Sequence, residues 1–234
     1  MGVATSNDRD EHGEWRPTGS IVPAPINDWP PAPGKIFKWL LSWPGFIWPE
    51  NIFWFSLSLF TWVCLTPELA AMENFELWWV GLIYARNLTF IVLLFGGMHY
   101  FLYMRQNQGD RLRFTTKPFP TDSKRFKFRD QVRDNVFHTL VYGVPVFTAY
   151  EVLTYWLFAN SYLGVFDLSD PVAFWAWFGM MLALGPVIHA VHFYFGHRLL
   201  HTKPLYKHFH ALHHNNVQVD PWSGLSMHPV EHII

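Results

Sequence analysis

The sequence predicts an all-α, integral membrane helical bundle of about four transmembrane helices, carrying a histidine-rich helical cap on its cytoplasmic side. Three observations lead there. Half of the 234 residues are apolar, 19% are aromatic and only 15% are charged, against about 25% charged in typical soluble proteins. Long apolar runs alternate with short polar segments, as expected of helices crossing a hydrocarbon core of roughly 30 Å. Ten of the thirteen histidines fall between His189 and His232. A formal net charge of −1 gives no basis for nucleic-acid binding, and the lone Cys64 excludes both an intramolecular disulfide framework and a cysteine zinc motif.

Residues 1–34 form a polar, Pro-rich tail without the apolar core of a secretory signal. It reads as an extended segment along the membrane surface, or as a partner-docking motif. Residues 35–200 are the transmembrane region. Lys35 and Lys38 beside Phe37, Trp39, Trp43 and Trp48 suit an interfacial entry, and spans follow near 46–66, 77–104, 136–164 and 172–200. Arg86 lies inside the second span, where a charge must pair, snorkel or serve a substrate. The 105–135 loop holds nine of the seventeen Lys and Arg residues, whereas the loops at 67–76 and 165–171 carry only acidic charges. Basic loops stay in the cytoplasm, so four spans place both the tail and the histidines on that side. The compartment is a bacterial inner membrane or the endoplasmic reticulum.

Residues 197–234 form the metal-site region. His197 and His201 are one helical turn apart, as two ligands of one ion from a single helix must be. His189 continues the same stripe more weakly. Thr202 and Pro204 mark a break, with Thr202 as N-cap of a following helix. That helix presents His210, His213 and His214. Because His213 and His214 point about 100° apart, the set suits two neighbouring ions, His210 and one of the pair serving the first. His208 has the wrong phase. His228 and a weaker His232 form a further pair, and Glu231 between them is a ligand, a carboxylate orienting a histidine, or an ion-pair partner. Imidazole accepts zinc, copper, iron and nickel; zinc remains an occupant to expect in preparations.

His197-Arg-Leu-Leu-His201, His210-Ala-Leu-His213-His214 and His228-Pro-Val-Glu231 together resemble the histidine boxes of the sterol desaturase and fatty acid hydroxylase superfamily. The resemblance implies an integral membrane, non-haem diiron enzyme with the histidines as metal ligands. It implies two iron ions, O2 and hydroxylation or desaturation of a lipid C–H bond in a sterol or fatty acyl chain. It also implies an external electron donor such as a cytochrome b5 or ferredoxin-type protein. A last H-x2-H-H box is expected beyond Ile234, so the chain is expected to be incomplete. The basic loop either attracts an acidic redox partner or contacts anionic lipid. Two other readings compete: a membrane metal-binding or transport protein, and a non-catalytic member of the same fold. A transport path would need polar residues in mid-span, but the boxes gather at one edge.

Overall fold

The computed structural model describes residues 9, 14–15, 23–110, 113–163 and 170–234, apart from the side chains at 182, 183 and 186. The described residues form helices and turns with two isolated bridges and no strand. The chain divides into two units, Met1–Pro67 with Arg111–Thr116, and Glu68–Asp110 with Lys117–Ile234.

In the first unit, α1 (Pro33–Leu41) opens on Pro33, at a position where a missing N–H costs nothing. Phe37, Leu41 and Trp43 are exposed near Lys35 and Lys38, the mixture that suits lipid headgroups. α2 (Ile52–Leu65) starts later than the apolar run that predicts it. Trp48 is extended at φ −109°, ψ 139°, and the turn Ile47–Asn51 intervenes. Its 14 residues bury no side chain within this unit. At 1.5 Å per residue it is roughly 21 Å long. Cys64 on it is exposed.

The second unit is built on α3 (Leu77–Met104) and α4 (Gln131–Ala159). Both are long and apolar enough to cross a membrane, yet only 22% and 33% of their most apolar windows are buried. The core helix of a soluble protein would be mostly covered, so these apolar flanks suit lipid. α4 starts at Gln131, ahead of the apolar run, because Asp130 caps it by accepting from the Arg133 N–H at 2.9 Å. The two helices run antiparallel around Met72, Trp79, Ile83 and Val152.

Arg86 is explained by this pairing. Its guanidinium donates to Glu151 Oε1 at 2.5 Å and to Asn87 Oδ1 at 3.0 Å. Asn87 donates to Glu151 Oε2 at 2.8 Å and to Thr148 Oγ1 at 3.1 Å, and the Tyr155 hydroxyl donates to Glu151 Oε1 at 2.8 Å. Both carboxylate oxygens are therefore satisfied inside the helix pair, as a charge in an apolar setting requires.

α5 (Pro171–Leu200) begins at Asp170, whose carboxylate accepts from the Val172 N–H at 3.0 Å. It turns at Thr202 into a shorter helical stretch, α6, residues 203–214. Thr202 stands at the N-cap, but its hydroxyl donates back to the Leu199 carbonyl at 2.8 Å instead of capping α6. The remaining chain, 217–233, lies as a strap along α3 and α4. A side chain at Gly143 would sit 3.4 Å from the His232 ring, and one at Gly96 would meet Trp222 at 3.4 Å. These glycines end or border wide turns in the two helices, Val92–Gly96 and Thr139–Gly143.

Candidate metal centre

The last turn of α5 and the second half of α6 bring four imidazoles together. One ligand nitrogen from each of His197, His201, His210 and His214 lies within 4.8 Å of the other three. The Nε2 atoms of His197 and His201 are 3.1 Å apart, and those of His210 and His214 2.9 Å apart. Both pairs have i, i+4 spacing, which stacks side chains on one helix face, and the turn at Thr202 folds one face onto the other. His210 closes the set across the turn, its ring centre 4.7 Å from that of His197 and 4.8 Å from that of His201. Nitrogens bound to one ion at about 2.1 Å would lie roughly 3–4 Å from one another. The four residues fit such an ion with little movement.

The electrostatics favour neutral ligands. Burial first, then the imidazoles of His214, His197, His201 and His213, lowers the His210 pKa to about 4. Burial likewise lowers His213 and His214. A ring that refuses a proton keeps its lone pair for a metal. His210 Nδ1 lies 2.7 Å from Glu231 Oε1. With Nδ1–H donating to this carboxylate, Nε2 is left as the lone-pair atom inside the cluster. Burial raises Glu231 to about 7, and its second oxygen is buried without a hydrogen-bond partner.

The other histidines occupy different places. The His213 ring lies 5.7 Å from that of His210 and is half-buried beside the Ser226 backbone. His232 packs on Gly143, with its ring half-buried beside the Leu225 backbone carbonyl. His228 Nδ1 accepts from the Val230 N–H at 3.2 Å, and its ring lies 4.9 Å from Phe209. His189 stacks on Phe193 at 6.4 Å, higher on α5 and outside the group of four. His208 is exposed.

Sequence reading missed two features. The Tyr206 ring lies 5.5–6.0 Å from those of His201, His210 and His214. The buried polar residues Gln131, Asn135 and Thr139 of α4 reach the strap rather than water. Their one-turn spacing at the head of an apolar run was the available signal.

A model of the fatty acid hydroxylase family matches residues 180–234, the segment that holds all four clustered imidazoles. The match supports the fatty acid hydroxylase and sterol desaturase superfamily for this segment. The superfamily assignment also has support from curated relatives. Fatty acid hydroxylase domain-containing protein 2 of Macaca fascicularis and that of Homo sapiens are each 30% identical over 113 residues, 46% of this chain and 30% of theirs. A delta(7)-sterol 5(6)-desaturase of Gibberella zeae is 33% identical over 57 residues, 24% of this chain and 18% of its own. The chain thus matches less than a third of the length of these relatives. No solved structure matches it.

Proposed function

We propose that this protein is a membrane-bound, diiron, O2-dependent oxidoreductase that hydroxylates or desaturates a C–H bond of a lipid, a sterol or fatty acyl chain. The observation that carries the reading is the meeting of four imidazole nitrogens within 4.8 Å beside apolar helices. Neutral imidazole suits iron, and the flanks of α5, with Val187, Ile188, Val191 and Phe195 exposed, suit a lipid chain.

Two iron ions, when bound, supply the reductive activation of O2 that an unactivated C–H bond demands. His197, His201, His210 and His214 would hold one of them. His213 and His232, close enough to influence each other, and His228 would serve the second. Glu231 holds the His210 proton on Nδ1 and so aims Nε2 inward. The protein's own work is to present neutral, oriented imidazoles and to keep a lipid against them.

The topology that fits this chemistry has four spans, on α2, α3, α4 and α5, with the histidine cap and the basic loop on the cytoplasmic side of a bacterial inner membrane or the endoplasmic reticulum. Electrons would come from a cytochrome b5 or ferredoxin-type protein. The test is metal analysis of protein purified anaerobically, together with O2-dependent conversion of a sterol or fatty acyl lipid. Close to two irons per chain and an oxidised lipid product are expected. Stoichiometric zinc as the native metal, or no metal, would sink the diiron reading.

A further inference from the structure

We propose that Asp220 is a positioning residue for the metal cluster, setting the register of the strap so that Glu231 meets His210. This rests on the metal-site reading above. Three side chains one turn apart on α4 grip three alternate residues of the strap. Gln131 Nε2 donates to the Gln218 carbonyl, Asn135 Nδ2 to Asp220 Oδ1 at 3.3 Å, and Thr139 Oγ1 to the Trp222 carbonyl at 3.0 Å. Residues 131, 135 and 139 stand one helical turn, about 6 Å, apart, and each meets the next alternate residue of the strap.

A ladder made only of carbonyl contacts would tolerate a slip, because every residue offers a carbonyl. Among the three rungs, only the one at Asp220 is a side chain. Its Oδ1 also accepts from the Ser223 N–H at 2.7 Å, which fixes the turn Ser223–Leu225. Its Oδ2 faces His99 Nδ1 of α3 at 3.6 Å, and neither of these buried atoms has a hydrogen-bond partner. His99 is itself set by the rings of Tyr103 at 5.4 Å and Phe119 at 6.1 Å. One carboxylate thus ties the strap to both long helices.

Apolar contact adds to the register at one residue of this stretch. Trp222 is buried against Gly96 and Phe95, but Val217 and Val219 are exposed. A slip of the strap would shift the turn at His228–Ile233 that carries Glu231 and break its 2.7 Å contact with His210. The cluster would then lose the acceptor that fixes the His210 tautomer.

The test is cobalt(II) titration of the detergent-solubilised full chain, read by its visible absorption and by thermal unfolding. Asp220→Ala is expected to weaken cobalt binding by about 10–100-fold, as loss of an outer-shell partner does, and to shift the spectrum of the bound metal. Glu231→Ala should give the same shift. The double variant should bind no more weakly than the worse single one, since both break one linkage. Asp220→Asn, which keeps the Oδ1 acceptor, should recover most of the affinity. Should Asp220→Ala fail to fold, His99→Ala, which removes the Oδ2 contact together with the ring contacts to Tyr103 and Phe119, should still shift the spectrum. A lower melting temperature with unchanged cobalt affinity and spectrum in Asp220→Ala or His99→Ala would overturn the proposal. So would losses that add in the double variant. Failure of the unmutated chain to bind cobalt would overturn the metal-site reading and this one together.

Discussion

His210 and Glu231, 21 residues apart in sequence, meet at 2.7 Å, and through this contact the strap holds one ring of the four-imidazole cluster. Replacing Glu231 by Ala leaves His210 free to change tautomer and is expected to cost about 10–100-fold in metal affinity. Glu231→Gln, whose amide oxygen can accept the same proton, should lose much less. Competition titration with a chromophoric chelator measures both, and equal losses would refute the tautomer argument.

Membership of the cluster predicts which histidines matter most. His210→Ala removes the buried member that touches both faces of the turn, and should release most of the bound metal. His208→Ala, on an exposed position next to the same helix turn, should leave metal content unchanged. Metal analysis of the two purified variants decides the matter.

The Arg86–Glu151 pair predicts a large stability effect far from the cluster. The Arg86 side chain is 6% exposed and that of Glu151 26%, so Arg86→Ala abandons a carboxylate in a largely apolar setting. A loss of about 3–5 kcal/mol is expected, reduced somewhat by the partial exposure of Glu151. Replacing both by residues of similar volume, Arg86→Met with Glu151→Leu, should recover most of it. Unfolding of the solubilised protein by denaturing detergent gives the comparison.

The metal-free chain should lose stability in acid. Burial above all holds His210, His213, His214, His228 and His232 below the usual 6.5, with His210 at about 4. As pH falls from 6.5 towards 4, an unfolded chain takes up protons that the folded one refuses, so stability falls. Glu231 acts in the opposite sense, because its rise from 4.5 to about 7 makes the fold lose stability as pH rises through that window. Burial also raises the Asp220 pKa above its ordinary 3.8, in the same sense as Glu231, so five groups oppose two and the net slope between pH 4.5 and 6.5 is expected to be positive. Melting temperatures across this range should rise with pH, and His210→Gln should flatten the rise.

Much of this arrangement was legible in the sequence because the decisive signals are local. The pairs His197/His201 and His210/His214 declare themselves by one-turn spacing, and Thr202 with Pro204 marks the turn that folds one pair onto the other. The long apolar runs gave α3 and α4, although helix starts follow caps such as Asp130 rather than the edge of hydrophobicity. Two residues were harder to read. Asp220 looks like an ordinary loop carboxylate, since its partners His99 and Asn135 lie in other helices. Arg86 announced the need for a partner, and only the antiparallel pairing of α3 with α4 selects Glu151.

The turn at Thr202 has a consequence for the order of assembly. All four clustered imidazoles come from one short hairpin, His197 to His214, so the site can be gathered without waiting for any distant part of the chain. Closing so short a loop costs little entropy, and an ion caught there would act as a staple across the hairpin before the downstream segment docks. Glu231 arrives later in synthesis, as a latch on a site already formed.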